Sequence, residues 1–448
     1  MSFDRQTLQR KLAELADLAG TPGRYVVAFS GGLDSTVLLH ALAGAHDVNG
    51  TAVLAVHVDH RLHSESATWS RQCESFANSL GVHFMSKSVN VAANSGRGTE
   101  AAAREARYSA LRSVVQAGDW LLSAHHRDDQ AETLLLNLMR GSGPAGLAGI
   151  AAVRPFAEAW LVRPLLSISR SDLQNYARVQ DLTWIDDPSN QDQQFDRNYL
   201  RHEVMPLLED RWPGATDRIR RSATLAGEAS QLLDQLADAD YRCLGERPDR
   251  LALAGLRKLP AERQRNLLRY VVRELGLPSP PAAQLHSAVT DLISACDDAQ
   301  PIVRWPGAEI RRYRDNVYVL PADLAAAAHS GLPIACAGAA RQITLHAGLG
   351  ELHFEPGAPR GLAEAIVSRG LEVRFRRGGE EIKLLGQSHT KKLKKLLQDE
   401  GIVPWMRDRL PLLYSGEDLV AVADLWIAAS AASEPGIGVR WRNRPALH

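Results

Sequence analysis

The chain has 448 residues, too many for one ordinary hydrophobic core, so two or three domains are expected. Its 52 basic and 52 acidic residues cancel, so bulk charge is excluded as an argument for a nucleic-acid partner and only local segregation can make one. With 45% hydrophobic and 23% charged residues the composition is that of a soluble globular protein, and no run approaches membrane-spanning length.

The first twenty residues alternate charge with an amphipathic period and predict a helix rather than a signal peptide. Tyr25–Phe29 reads as a strand and Asp34–Ala43 as a helix; Ala52–Val58 is a second strand, followed by a helix over Ser64–Leu80. Val82–Val89 is a third strand, Gly98–Ala117 a helix, Trp120–Ala124 a fourth strand and Asp128–Met139 a helix. Apolar strands alternating with helices imply an α/β domain, a doubly wound and mostly parallel sheet over about residues 1–215, with ligands outside the carboxyl ends of its strands. Beyond Trp212-Pro213-Gly214 the pattern changes. Amphipathic helices over Asp217–Leu244 and Ala261–Leu275, with strand character over Glu309–Leu320, predict a mainly helical central domain with an appended hairpin over 216–325. A linker is expected over 326–360 and a small α+β domain over 361–448. The four cysteines, Cys73, Cys243, Cys296 and Cys336, are far apart and contain no C-x-x-C pair, which points to a reduced, cytoplasmic compartment.

Six segments carry chemistry. Ser30-Gly31-Gly32-Leu33-Asp34-Ser35 lies between a strand and a helix, where free backbone N–H groups and the positive helix end meet at one point. The glycines permit close approach, and Ser30, Ser35 and Thr36 add hydroxyls. The turn lacks the lysine of G-x-x-x-x-G-K-[ST], so it suits a phosphate group held mainly by backbone, such as a departing pyrophosphate. Phosphate repels Asp34 unless a cation lies between them, which infers Mg²⁺ there; a plain helix cap is the bland alternative. His57 ends the second strand, and Glu100, Arg104, Arg107 and Tyr108 share one helix. His125, His126, Asp128 and Asp129 follow the fourth strand and suit metal binding, acid–base work, or simple helix capping. Arg197 and Arg201, at helical spacing, can point at one phosphate or carboxylate, or make a solvated face. Finally, a helix is predicted over Lys391–Glu400, capped by Thr390 and stopped by Gly401. Leu393, Leu396 and Leu397 form its apolar stripe beside Lys391, Lys392, Lys394 and Lys395; with Arg374, Arg376, Arg377, Lys383 and Arg407 this makes a basic face suited to RNA phosphates.

The SGGLDS turn resembles the pyrophosphate-binding loop of the N-type ATP pyrophosphatases. The ordered series SGGLDS, HVDH, E-x-x-x-R-x-x-R-Y, AHHRDDQAET, RGSGPAGLAG, RPLL and DDPSNQ…RNYLRH…WPG, resumed over about the last 80 residues, resembles the tRNA(Ile)-lysidine synthetase family. That resemblance implies a ligase that joins free lysine to the wobble cytidine of a tRNA(Ile) bearing a CAU anticodon. ATP would adenylate C2 of the base, pyrophosphate would leave, and lysine's amine would displace AMP. It implies that Ser30, Gly31, Gly32, Leu33, Asp34, Ser35 and His57 bind ATP, and that Asp34, with Asp129, positions Mg²⁺. His125, Arg197 and Arg201 are assigned to the transferring phosphate or the cytosine; Glu100, Arg104 and Glu132 to lysine or the base; and the basic face of the last domain to the tRNA. No membrane partner is implied, and a homodimer is left open. The chain departs from the family at Arg61 and His63, where Gly and Arg are expected, and at Asp424, where Gly is expected. A thiolase of the same superfamily commonly uses paired cysteines, absent here; a nucleotide-binding regulator would hold ATP without turning it over.

Overall fold

The computed structural model describes residues 3–61, 65–90, 99–296, 299–322, 334–336, 342–345 and 348–447, except the side chains at 46–49, 99–101, 246 and 334–336. The departure at His63 and much of the expected linker therefore lie outside the described residues. The chain divides into two compact units, Met1–Leu233 and Asp234–His448.

In the first unit, helix α1 (Arg5–Ala19) is capped by Asp4, whose side chain accepts from the Thr7 N–H. Then follow β1 (Arg24–Ala28), α2 (Leu33–Asn49), β2 (Ala52–Asp59), α3 (Ser66–Ser79), β3 (His83–Ser88) and α4 (Thr99–Arg112). The chain continues through β4 (Asp119–Leu122), α5 (Arg127–Met139), α6 (Pro144–Leu147), β5 (Val153–Phe156), β6 (Ala159–Val162) and α7 (Arg170–Val179). The strands form one sheet in the order β3-β2-β1-β4-β6-β5, parallel except for β5.

The alternation of side chains along a strand explains why short apolar runs suffice. Tyr25, Val27, Val53, Ala55, Trp120 and Leu122 enter a core shared with Leu38, Leu39, Leu42 and Leu173. Their neighbours Val26, Leu54, Val56 and Leu121 enter a second core with Leu111, Phe156 and Leu161 on the opposite face. Strand order reverses beside β1, whose neighbours are β2 and β4. A crevice therefore opens outside the carboxyl ends of β1 and β4, where ligands bind in such sheets. The unit ends with α8 (Asp196–Tyr199), a wider π-type turn over Leu200–Val204, α9 (Met205–Arg211) and the long helix α10 (Ala215–Leu244), which carries the chain into the second unit. The Glu209 carboxylate caps α10, accepting from Gly214 N at 2.8 Å, Thr216 N at 2.8 Å and Thr216 Oγ1 at 2.5 Å.

In the second unit, helices Ala261–Glu274 and Ala282–Ser287 pack on a five-stranded antiparallel sheet, more strand than the single expected hairpin. Two further five-stranded antiparallel sheets follow. Strand Glu351–Ala358, inside the stretch expected to be linker, pairs with Gly436–Arg442, so that stretch contributes to the last core. Alternating Leu352 and Phe354 go inward there, a short pattern hidden among Gly and Pro. The basic helix is shorter than expected. Lys391–Lys392 pair as a strand with Glu381–Ile382 and the helix starts at Leu393, with Lys392 rather than Thr390 in the capping position. The cause is tertiary: Leu393 N donates to the Glu380 carbonyl at 2.8 Å. No helix among the described residues is long and apolar enough to cross a membrane.

Candidate active site

The Ser30–Ser35 turn leaves β1 and opens α2. Gly31 has φ +83°, and a Cβ there would meet Ile185 Cδ1 at 2.5 Å and Cys73 Sγ at 2.7 Å, so both conformation and packing require glycine. Ile185 N donates to the Gly31 carbonyl at 2.9 Å, tying the Trp184–Asp187 segment to the turn. The hydroxyls of Ser35 and Thr36 do not face outward as expected. Both are buried, and they donate to the carbonyls of Gly32 at 3.0 Å and Gly31 at 3.1 Å. Helix geometry turns these side chains back onto the preceding turn, so they brace the loop. Ser30 is exposed, and its Oγ lies 3.1 Å from Ser35 Oγ. Leu33 is buried in the core below, so its contribution to a phosphate is limited to backbone, as for Gly31 and Gly32. Thr36 N donates to the Gly32 carbonyl at 3.0 Å, so the N–H groups that precede it at the start of α2 are the ones suited to an anion.

His57 on β2 is buried, with Nδ1 3.0 Å from the Phe29 carbonyl. A carbonyl only accepts, so Nδ1 carries the proton and Nε2 is left as the acceptor. Burial pushes its pKa down and keeps the ring neutral. Beside it, His60 is held at about 4 by burial and by Arg107, whose Nε lies 3.3 Å from His60 Nε2. Arg61 is exposed, with φ +54°.

After β4 the chain turns through Ser123, Ala124, His125 and His126 into α5. His126, only 1% exposed and read from the sequence as one of four candidate metal, acid–base or capping groups, organises the corner. Its backbone N–H donates to Asp129 Oδ2 at 2.8 Å; its Nδ1 lies 3.2 Å from Asp128 N, which it caps when the ring is neutral, and 3.5 Å from Asp128 Oδ2, which it faces as a donor when the ring is protonated. Its Nε2 lies 3.6 Å from Asp34 Oδ2 and 3.5 Å from Asp129 Oδ2. Burial opposes charge on this ring, but Asp129, Asp128 and Asp34 outweigh it and raise the pKa to about 10. His126 is thus a tethered cation between the phosphate loop and α5. The sequence signal for it is the His-x-x-Asp spacing at a strand–helix corner.

His125 behaves oppositely. Burial brings it down to about 3, Arg163, Arg197 and Arg104 adding to the effect against Asp129, and its Nδ1 lies 2.6 Å from Ser123 Oγ. At neutral pH it is an uncharged hydrogen-bonding group.

Arg197 and Arg201 converge as their spacing predicts, but on carboxylates. Arg197 donates to Glu132 Oε2 at 2.7 Å and Asp129 Oδ1 at 2.9 Å. Arg201 donates to Glu132 Oε1 at 2.7 Å, Glu132 Oε2 at 3.0 Å and Asp129 Oδ1 at 3.1 Å. Burial disfavours the Asp129 carboxylate, yet His126 and Arg197 hold it down at about 2. Arg104 lies over the Tyr108 ring at 5.2 Å. Glu100 is in α4, with its side chain outside those described.

Asp34 Oδ1 is buried with no hydrogen-bond partner. An orphaned carboxylate oxygen beside a phosphate loop fits a hard cation such as Mg²⁺. No group of three or more His, Cys, Asp or Glu side chains among the described residues is arranged to hold a metal. That agrees with the habit of Mg²⁺, which is bound through one or two carboxylates plus substrate phosphates.

In the second unit, Lys391, Lys392, Lys394 and Lys395 are exposed, with no ion-pair partner among the described residues. The arginines expected beside them are otherwise engaged. Arg374 bonds Glu372 at 2.6 Å and Glu417 at 3.1 Å and stacks on Tyr414; Arg376 bonds Asp408 at 2.7 Å; Arg407 bonds the Ile402 carbonyl at 2.9 Å and the Tyr313 hydroxyl at 2.7 Å. Acidic side chains within the same domain pair with Arg374 and Arg376, which leaves the lysines and the exposed Arg377 as the open basic patch. Asp424 pairs with Arg444 at 2.6 Å.

Three domain families match the chain: a PP-loop domain over residues 4–208, a TilS substrate binding domain over 251–318 and a TilS substrate C-terminal domain over 371–441. The chain is 43% identical to a tRNA(Ile)-lysidine synthase of Alkalilimnicola ehrlichii over 96% of its own length and 95% of that protein. It is 37% identical to a protein of the same name from Coxiella burnetii, over 92% and 91% of the two chains. With one from Xanthomonas campestris pv. campestris it shares 40% identity over 95% and 96%. The SGGLDS turn, the corner it faces and these full-length similarities place the chain in the tRNA(Ile)-lysidine synthase family.

Proposed function

We propose that the chain uses ATP to join free lysine to C2 of the wobble cytidine in the CAU anticodon of tRNA(Ile), releasing AMP and diphosphate. The observation that carries the reading is the approach of the Gly31–Gly32 turn and Asp34 to the His126–Asp129–Glu132–Arg197–Arg201 cluster at the carboxyl edge of the sheet.

The backbone donors of the turn receive the β- and γ-phosphates, and the absence of a lysine suits a pyrophosphate that must depart. The cytidine O2 attacks the α-phosphorus and the bond to pyrophosphate breaks. Lysine's amine then attacks C2, the C–O bond to AMP breaks, and the amine proton is lost to solvent or a carboxylate. Asp34, with Asp129, would hold Mg²⁺, which neutralises charge on the departing pyrophosphate. The protein's own groups act mainly by position and charge: His126 holds Asp34 against α5, and Arg197 and Arg201 fix Asp129 and Glu132. His57 offers Nε2 toward an adenine or ribose edge. The four lysines at 391, 392, 394 and 395 grip tRNA phosphates.

Cys73, the cysteine against the turn, is buried with its thiol pushed up to about 12, which argues against sulfur chemistry at this loop. The test is incubation with ATP, labelled lysine and unmodified CAU-anticodon tRNA(Ile), with elongator tRNA(Met) as control. Transfer of label to tRNA(Ile) alone is expected; tight ATP binding without tRNA-dependent pyrophosphate release would favour a regulator. Asp34→Asn should lower turnover at least about tenfold and raise the Mg²⁺ requirement; unchanged turnover would overturn the metal role.

A further inference from the structure

One buried cation at the sheet edge has no part in the reading so far. Arg163 is the first residue after β6, and Ser123 is the first after the neighbouring parallel strand β4, with Leu122 and Val162 in register. Arg163 therefore stands at the same carboxyl edge as His125, one strand over. Its side chain is 4% exposed. One nitrogen donates to the Ala151 carbonyl at 2.5 Å and the Tyr108 hydroxyl faces the guanidinium, but its Nε is buried with no partner. Its charged neighbours are cations. Arg104 and Arg154 lie over the Tyr108 ring at 5.2 and 5.6 Å, and no carboxylate bonds to Arg104, Arg154 or Arg163 among the described residues. Burial and these like charges push the Arg163 pKa down. A buried guanidinium is ordinarily paired, because leaving it unpaired is costly. This one stands at the carboxyl edge of the sheet with no carboxylate bonded to it among the described residues.

We propose that Arg163, with Arg104 and Arg154 at its rim, forms the oxyanion subsite that receives the α-carboxylate of free lysine. The proposal rests on the lysine-ligating activity above. Whichever amine attacks, a free amino acid brings one carboxylate that does not react and must be compensated. Planar guanidinium donors match it. Arg163 is 4% exposed while Arg104 and Arg154 are exposed, so only a small anion could engage all three, whereas an RNA phosphate would meet only the exposed pair. The subsite then gathers guanidiniums from α4, β5 and the end of β6 on one anion. It also gives a reason for selecting free lysine over amines that lack a carboxylate.

The first test needs no substitution. Lysine, lysinamide and 1,5-diaminopentane are compared as acceptors with ATP and the CAU-anticodon tRNA(Ile). The wild-type kcat/KM should favour lysine over lysinamide by about 10–100-fold, the range of a charge-assisted hydrogen-bonded pair. Arg163→Gln and the exposed pair Arg104→Ala/Arg154→Ala should raise the lysine KM and shrink that preference to less than about threefold, while the tRNA KM moves less than about twofold. Equal wild-type use of lysine and lysinamide would overturn the subsite, whatever the variants do. A raised tRNA KM with an unchanged lysine KM in the double variant would overturn it too, and give the cluster to RNA phosphate. No transfer of lysine by the wild-type protein would overturn the activity itself, and the subsite with it.

Discussion

The two arginines on Asp129 and Glu132 invite a quantitative test, because the chain must bury Glu132 with only 1% of its surface exposed. Replacing Arg201 by Met removes three N–H donations, to Glu132 Oε1, Glu132 Oε2 and Asp129 Oδ1. Removing one partner of a buried ion pair ordinarily costs about 3–5 kcal/mol. Here Arg197 still donates to both acids, at 2.7 and 2.9 Å, so neither carboxylate is stranded. The single variant should therefore lose less, about 2–3 kcal/mol. By the same reasoning Arg197→Met loses about 2 kcal/mol, since two donations go rather than three. The double variant leaves two buried carboxylates with no cation from this helix. Its loss should exceed the sum of the singles by at least about 1 kcal/mol. The assay is urea unfolding combined with peptide-resolved hydrogen exchange over 127–139 and 196–211, because the two units need not unfold together. Single losses below about 0.5 kcal/mol, or strictly additive ones, would refute the clamp and return both arginines to direct duty on phosphate.

Other expectations follow from single sites. Gly31→Ala combines a left-handed backbone with contacts to Ile185 and Cys73 at 2.5 and 2.7 Å, so ATP affinity by calorimetry should fall at least about tenfold; retained affinity would show that the loop can move aside. Alanine at Lys391, Lys392, Lys394 and Lys395 should raise the tRNA KM and flatten its salt dependence by about one log–log unit for each phosphate no longer neutralised, and an unchanged slope would remove the lysines from the RNA interface. Glu209 tests the cap of α10 through pH. Burial opposes its charge, but bonds from Thr216, Gly214 and Ala215 hold its pKa below the ordinary 4.5. A lowered folded pKa gives stability that is present above the unfolded value and lost as pH falls through the folded one. Glu209→Gln should therefore be about 1 kcal/mol less stable than wild type at pH 7, with the gap closing below about pH 4; a gap independent of pH would mean the charge is not what caps the helix.

Much of the catalytic unit is legible in the sequence because its strands are buried on both faces. In Tyr25-Val26-Val27 every side chain meets a core, so the run is apolar throughout, and the Gly-Gly turn after it can belong only at the strand's carboxyl end. The i, i+4 spacing of Arg197 and Arg201 likewise fixes that they act together. It does not fix on what. Asp129 and Glu132 are 65 or more residues away in sequence, and only the sheet brings α5 against α8. The same limit hid Arg163, which looks like one charge in an apolar RPLL run until β6 is laid beside β4. In the last domain the error ran the other way. A count of basic residues cannot see that Glu372, Glu417 and Asp408 take up Arg374 and Arg376.

These pairings constrain how the site can work. Neither histidine at the corner fits proton transfer near neutral pH: His125, near 3, has no proton to give, and His126, near 10, does not readily accept one. The arginines that would seem poised for phosphate are already held by Asp129 and Glu132, and a polyphosphate would have to compete for them. With Asp34 and Asp128 counted, four carboxylates face the guanidiniums of Arg197 and Arg201 and the His126 ring, so the groups in direct contact carry less positive than negative charge, and a further cation, Arg163, stands one strand over. The backbone N–H groups of the turn suit further neutralisation of a phosphate, and the unpartnered Asp34 Oδ1 fits a hard cation. Rate enhancement at this site is then a matter of holding three substrates in line and releasing pyrophosphate, a task for which a loop without lysine, braced by Ser35 and Thr36 and pinned by Ile185, is suited.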